Sequence, residues 1–209
     1  MSAPTPLTYK GRPVPYIAAW SAEIVRLPDV LIGPTGIRLE GYPPDLLSGV
    51  TWKPNRDARG QGEAKFDVVH VPRQRYAMGS MLCQVCAHPV ERNEYGWPWL
   101  LEDHRGESGW PQEEVTTHPP VCPKCQPVSA LQCRHLRGNV VSVRAGRFVT
   151  DGVYGQLFQP GRPARKTVLF AGDARLRWML GGQAAATLYD VTIVDMTTQA
   201  PVPREAVRR

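Results

Sequence analysis

The sequence predicts an α+β protein in which β-rich segments flank a central cysteine-rich module. Three observations support this fold class. The 21 prolines and 19 glycines fall between short apolar runs, which favours short strands and turns over long helices. Four of the five cysteines form two Cys-x-x-Cys pairs near the middle of the chain. Hydrophobic residues make up 42% and charged residues 21%, a composition ordinary for a folded globular protein.

The N-terminal segment, residues 1–82, is predicted to be β-rich. The runs "IRLEGY", "GVTWK" and "AKFDVVHV" are rich in strand-forming residues, and turn-forming stretches such as "GPTG", "YPPD" and "NRDARGQGE" separate them. We therefore expect short strands joined by turns in this segment.

The C-terminal segment, residues 139–198, is predicted to mix strands with one helix. "NVVSVRAG", "RFVTDGVYGQLFQP", "TVLFAG" and "DVTIVDM" indicate strands. Asp173 can cap a helix over "ARLRWMLGGQAAATLY", because Leu176, Leu180 and Ala184 recur at helical spacing. Residues 199–209 are expected to be a flexible tail.

The two cysteine pairs, Cys83 with Cys86 and Cys122 with Cys125, have the spacing of zinc ligands. In each pair, two intervening residues allow both thiolates to reach one ion, and two pairs complete a tetrahedral site. We predict a structural Zn²⁺, because four thiolates leave no position open for a reactive water. A redox dithiol or two unrelated pairs are the alternatives. Further candidate ligands, less well placed, are His88, His118, Cys133 and His135.

The central module, residues 83–138, has the order of a known zinc fold. A first knuckle precedes the hairpin-like "ERNEYGWPWLLED", and a second knuckle precedes "QPVSALQCRHLRG", where Pro127 suits a first helical turn. This order resembles a treble clef. The whole chain also resembles short uncharacterised Cys-x-x-Cys proteins common in actinobacteria, a resemblance that implies no function.

Within the module, "LLEDHRGESG" lies between the two cysteine pairs. This arrangement resembles HNH endonucleases of the endonuclease VII type. The resemblance implies that Asp103 would help to hold a divalent cation and that His104 would activate water for phosphodiester hydrolysis. The chain departs from that family where Gly106 or Glu107 replaces a second His and where Gln126 replaces an Asn.

Charge is distributed unevenly along the chain. Residues 1–82 carry a net charge of +3, residues 83–125 of −4 and residues 126–209 of +7. The basic C-terminal third is therefore the candidate for phosphate contact, whereas the acidic module would repel a phosphate backbone. The alternative is a solvated surface with scattered cations. The candidate nucleic-acid-binding residues are Arg134, Arg137, Arg144, Arg147, Arg162, Arg165, Lys166, Arg175 and Arg177.

These observations lead to one functional hypothesis and two alternatives. The leading hypothesis is a cytoplasmic, non-catalytic, zinc-stabilised protein that contacts DNA or RNA. One alternative is an HNH-like metal-dependent nuclease with Asp103 and His104 as catalytic residues. The other is an adaptor whose acidic, Trp-rich module binds a basic protein surface. No apolar stretch approaches the roughly 20 residues of a membrane helix, so no membrane partner is expected.

Overall fold

The computed structural model describes residues 6–45, 48–133, 136 and 138–202. In these residues the fold is mixed α+β and strand-rich, with twelve strands and two α-helices, which confirms the predicted class. The strands are β1 (Leu7–Tyr9), β2 (Arg12–Val14), β3 (Ala18–Trp20), β4 (Val30–Gly33), β5 (Gly36–Leu39), β6 (Thr51–Trp52), β7 (Ala64–Val69), β8 (Trp97–Glu102), β9 (Glu114–Thr116), β10 (Val140–Leu157), β11 (Arg165–Phe170) and β12 (Met179–Val194). The helices are α1 (Val71–Gly79) and α2 (Gln126–Gln132). No helix in the described residues is both long enough and apolar enough to cross a membrane.

The chain divides into two compact units. Among the described residues, the first comprises 77–133, 136, 138–150 and 186–202, and the second comprises 6–45, 48–76 and 151–185. The described part of the predicted zinc module, residues 83–138, therefore lies within the first unit. The long strands β10 and β12 each contribute residues to both units.

In the first unit, β8 pairs with the N-terminal half of β10, and β9 pairs with the C-terminal half of β12. Both pairings are antiparallel, with Val143 opposite Trp99 and Ala186 opposite Thr116. Trp99 is fully buried in the apolar cluster beneath these strands. The apolar members of this cluster are Trp99, Leu101, Val141, Val143, Ala145, Leu188 and Val191. The cysteine pairs precede and follow β8 and β9 in the chain.

In the second unit, three two-stranded pairings, β1 with β2, β3 with β7 and β4 with β5, are antiparallel. The C-terminal half of β10 pairs with β11, and β6 pairs in parallel with the start of β12. The strands predicted from "IRLEGY", "GVTWK", "AKFDVVHV" and "TVLFAG" correspond to β5, β6, β7 and β11. Those predictions are confirmed, whereas α1 was not predicted from the sequence.

The predicted helix over residues 174–189 is wrong. Residues Ala174–Trp178 form a single short 3-10 helix, and β12 begins at Met179. Asp173 caps the short helix as expected, since its side chain accepts a hydrogen bond from the Arg175 N–H at 2.8 Å. The chain then becomes a strand because its backbone groups are paired with neighbouring strands, and Gly181 and Gly182 weaken any competing helix.

Candidate metal centre

The first knuckle is a tight turn that aims two sulfurs to one side. The Cys83 N–H donates to the His88 carbonyl at 2.8 Å, and the Ala87 N–H donates to the Cys83 carbonyl at 2.8 Å. Ala87 completes the turn in the left-handed region, with φ of 59°. These bonds fold residues 83–88 back on themselves, so that Cys83 and Cys86 face the same point.

The second knuckle leads directly into α2. The Val121 N–H donates to the Pro98 carbonyl at 3.1 Å, which fixes the knuckle to β8. The Cys122 carbonyl then accepts hydrogen bonds from the N–H groups of Cys125, at 2.9 Å, and Gln126, at 3.2 Å. Pro127 lies in the first turn of α2, as predicted, where a missing N–H costs nothing.

The two knuckles converge, and they bring the four predicted sulfurs together. One sulfur from each of Cys83, Cys86, Cys122 and Cys125 lies within 4.8 Å of all the others. The Gln84 N–H donates to the Pro120 carbonyl at 3.0 Å, which joins one knuckle to the other. The Cys86 and Cys122 sulfurs are 3.8 Å apart.

These distances fit a four-coordinate zinc ion. Zn–S bonds of about 2.3 Å at tetrahedral angles hold two thiolates about 3.8 Å apart. The donor set is four soft sulfurs, and no described His, Asp or Glu joins the cluster. The arrangement can therefore hold a metal ion, with zinc the best chemical match, and it leaves no coordination position for substrate or water.

The thiols of the cluster differ in acidity because they hydrogen bond to one another. Hydrogen bonds from Cys125 and Cys83 lower the pKa of Cys122 to about 2. The hydrogen bond to Cys122 raises the pKa of Cys83 to about 12, and the same kind of contact raises the pKa of Cys125. An ion that takes four thiolates must displace the remaining protons, so its affinity depends on pH.

Apolar packing encloses one side of the cluster. Cys83 is fully buried and packs with Val90, Leu100 and Val121. The other three cysteines are half-buried. A buried Gln126 supports the second knuckle, since its side chain donates to the Val121 carbonyl at 3.2 Å and accepts from the Ser142 hydroxyl at 2.9 Å. This role of Gln126 was not predicted from the sequence, because its side-chain partner Ser142 lies 16 residues further along the chain.

The further candidate ligands lie apart from the sulfur cluster wherever the structure describes them. His88 contributes its backbone carbonyl to the first knuckle and has an exposed side chain. His118 is likewise exposed, and its N–H donates to the Thr116 hydroxyl. Cys133 is a free cysteine at the end of α2. His135 lies outside the described residues.

The candidate nuclease residues are adjacent in the chain but have different partners. The Asp103 carboxylate accepts several hydrogen bonds from the Arg105 side chain, which lower the pKa of Asp103. His104 lies 3.0 Å from a carboxylate oxygen of Glu107 and 3.7 Å from one of Glu102. In the described residues, Asp103 and His104 belong to no group with metal-ligand geometry.

The candidate phosphate-binding residues are in several environments. Arg144 is 4% exposed, and its guanidinium donates to the Gly96 carbonyl at 3.0 Å and to the Gln199 side chain at 2.8 Å. Arg175 pairs with Asp173, and Arg147 stacks on Tyr189 with its guanidinium carbon 3.9 Å from the ring centroid. Exposed side chains occur at Arg162, Arg165, Lys166 and Arg177. Arg134 and Arg137 lie outside the described residues.

Comparisons with known proteins give no further guide to the site. No protein family model, no curated protein and no solved structure matches the chain.

Proposed function

We propose that this chain is a zinc-stabilised, non-catalytic protein that binds nucleic acid through its basic C-terminal third. Its module at residues 83–138 is proposed to be a treble-clef-like fold held by one Zn²⁺ on Cys83, Cys86, Cys122 and Cys125. The convergence of the four sulfurs within 4.8 Å is the observation that supports the zinc. A non-catalytic role follows from the donor set, since four thiolates fill a tetrahedral ion.

The proposed phosphate contact centres on the turn between β10 and β11. The Arg162 N–H donates to the Gln159 carbonyl at 3.1 Å, which closes the turn. Arg162, Arg165 and Lys166 are exposed, and none forms an ion pair with any described residue. Three cations within five residues, with no acid to neutralise them, favour an anionic partner.

Of the other candidate residues, Arg147, Arg175 and Arg177 stay in the proposed contact set because they are exposed. Arg134 and Arg137 also stay in it, on sequence grounds. We omit Arg144, because burial and four protein acceptor contacts occupy its guanidinium. The nuclease alternative remains a prediction from sequence, and the hydrogen bonds between Asp103 and Arg105 give it no support.

A metal count followed by a salt-graded retention assay tests the proposal. The purified protein is expected to contain one zinc per chain, and Cys133→Ser, which removes a cysteine outside the cluster, should leave that count unchanged. DNA or RNA retention should decline with salt. Replacing Arg162, Arg165 and Lys166 by Gln should make the slope of log affinity against log salt shallower by about 2 to 3, as the loss of three phosphate contacts requires.

A charge-matched control separates local contact from net charge. Replacing Lys10, Arg26 and Arg38 by Gln removes three exposed cations from the N-terminal segment and should leave the slope nearly unchanged. Equal effects of the two triple variants would contradict contact through the C-terminal third. Nicking of the nucleic acid in Mg²⁺ that disappears in His104→Ala would instead support the nuclease alternative. Indifference to nucleic acid, with a zinc-bound protein, would favour the adaptor.

A further inference from the structure

The second unit contains a surface cleft that the zinc site and the basic turn do not explain. Its volume is about 360 Å³, within the range of small-molecule sites in proteins. Tyr42, Trp52 and three prolines form its apolar walls, and Asp45, Lys53 and Arg75 supply charge. Two aromatic rings and three prolines thus surround a few charged groups, the combination of apolar walls and placed polar groups that is typical of ligand sites.

Trp52 is fixed rigidly on its strand. It lies opposite Gly181 in the parallel pairing of β6 with β12. A Cβ atom at Gly181 would approach the indole ring to 2.6 Å, so only glycine allows the backbone to come so close to the ring. The indole is therefore held in place before any ligand arrives.

Arg75, on α1, stacks over the indole. Its guanidinium carbon is 4.0 Å from the centroid of the Trp52 ring, and its Nη2 lies 3.1 Å from a carboxylate oxygen of Asp45. The Asp45 carboxylate also accepts a hydrogen bond from the Ser48 N–H at 3.1 Å. Stacking from one side and an ion pair at its end hold the guanidinium as a flat cationic surface.

The charge of the cleft favours an anionic ligand. Lys53 is exposed and forms no ion pair with a described residue, so the two cations outnumber the one carboxylate.

We propose that this cleft binds a nucleotide, with the base stacked against the Arg75–Trp52 pair and the phosphate on Lys53. A base offers a flat π surface to the guanidinium and to the aromatic rings, and a phosphate meets the excess positive charge. The excess of positive charge disfavours a basic proline-rich peptide, the other ligand that aromatic and proline walls suit. The site involves neither the zinc cluster nor the turn at Arg162.

Calorimetric titration of the full-length, zinc-loaded protein with adenosine 5′-monophosphate tests the proposal. We expect saturable binding of the nucleotide. Adenosine alone and inorganic phosphate alone should each bind with an affinity at least about tenfold lower, since stacking of one base raises affinity by about tenfold or more. Arg75→Gln and Lys53→Gln should each weaken binding by about tenfold. Lys53 is exposed, so its variant gives a result even if Arg75→Gln lowers stability.

Arg12→Gln is the matched control, because Arg12 also stacks on an aromatic ring, Phe66, at 4.9 Å, but lines no part of this cleft. It should bind the nucleotide normally. So should the triple variant at Arg162, Arg165 and Lys166, which makes failure of this site distinguishable from failure of the proposed nucleic-acid contact.

A parallel titration with a six-residue oligoadenylate identifies the source of the ligand. Tighter binding of the strand assigns a single-stranded nucleic acid, and tighter binding of the mononucleotide assigns a free nucleotide.

Three results would overturn the proposal. They are an absence of saturable binding, unchanged affinity in both Arg75→Gln and Lys53→Gln, and binding of a proline-rich peptide that is lost in Arg75→Gln while the nucleotide does not bind.

Discussion

At the scale of single residues, the second unit contains a buried charge network around Arg73. Its side chain donates to both carboxylate oxygens of Glu23, which is fully buried, and to the carbonyls of Tyr16 at 2.7 Å and Ala18 at 2.8 Å. Burial alone would raise the pKa of Glu23, but hydrogen bonds from Arg73 and from the Trp20 N–H outweigh it and lower that pKa. Glu23 is therefore ionised in the folded protein, and its partner Arg73 compensates its charge.

His70 extends this network. Its Nδ1 accepts a hydrogen bond from the Arg73 N–H at 3.2 Å, and its Nε2 lies 3.2 Å from the Arg56 carbonyl. A ring that accepts at one nitrogen and donates at the other is neutral. Burial, followed by the charge of Arg73, lowers the pKa of His70 below its usual 6.5. Protonation would place a second cation beside Arg73.

This arrangement predicts how acid destabilises the protein. The folded state binds fewer protons at His70 than the unfolded state does, so the contribution of neutral His70 to stability is complete above pH 6.5 and is lost as pH falls through its lowered pKa. Glu23 acts in the same direction: its contribution to stability is complete above its usual pKa of 4.5 and is lost as pH falls through its lowered pKa. From pH 8 to pH 5, the free energy of unfolding should therefore fall by more in the parent than in His70→Asn. Urea unfolding at the two pH values measures both changes.

The comparison between parent and variant removes the contribution of thiolate protonation at the cysteine cluster, which both share. His88→Gln, which replaces an exposed histidine, is the control and should retain the pH dependence of the parent. A His70→Asn variant with the same pH dependence as the parent would contradict the assignment of a buried neutral imidazole.

At the scale of the elements, β12 demonstrates how pairing overrides local periodicity. Leu176, Leu180 and Ala184 have helical spacing, yet residues from Met179 onward form a strand. The parallel pairing with β6 and the antiparallel pairing with β9 satisfy backbone groups that an isolated helix would satisfy internally. Gly155 allows the backbone of β12 to pack closely against it, because a Cβ at this position would approach the Leu180 carbonyl oxygen to 2.2 Å.

The adjacent glycines of β12 give a matched pair of variants. Gly181→Ala should lower the free energy of unfolding by about 1–3 kcal/mol, the usual cost of overpacking, because the new methyl group meets the Trp52 ring. Gly182→Ala should change it by less than about 0.5 kcal/mol, since the nearest atom to its Cβ is the Tyr154 carbonyl oxygen at 3.6 Å. Urea titration measures both, and equal effects would contradict close contact at position 181.

At the scale of the whole molecule, zinc should contribute directly to folding. Metal binding to four thiolates is coupled to formation of the two knuckles, so its free energy is folding free energy. Thermal unfolding of the proposed zinc-bound protein should shift to lower temperature with excess chelator and recover when zinc is added back. Cys125→Ser should show a low unfolding temperature with or without chelator.

Cys133→Ser, outside the sulfur cluster, is the control and should respond to the chelator as the parent does. An unfolding temperature that chelator leaves unchanged in the parent would mean that the cysteines do not hold a structural metal.

The amino-acid sequence by itself identified the four cysteines, α2 and the short strands β5, β6, β7 and β11. Each of these features depends on neighbours within a few residues: a Cys-x-x-Cys turn aims both of its sulfurs, and a run of β-branched residues bounded by glycine and proline favours a strand. Hence the clustered cysteines were predictable from spacing, although the 35 residues between the pairs had to fold before the sulfurs could meet.

Only the tertiary structure decided the features that depend on partners distant in the chain. It buried Arg144 against Gly96 and Gln199, turned the predicted helix into β12 and formed the cleft of Trp52 and Arg75. An arginine in a strand has the same local sequence whether it faces solvent or a buried carbonyl. Burial and long-range pairing determine which of these occurs, and neither is encoded in local spacing.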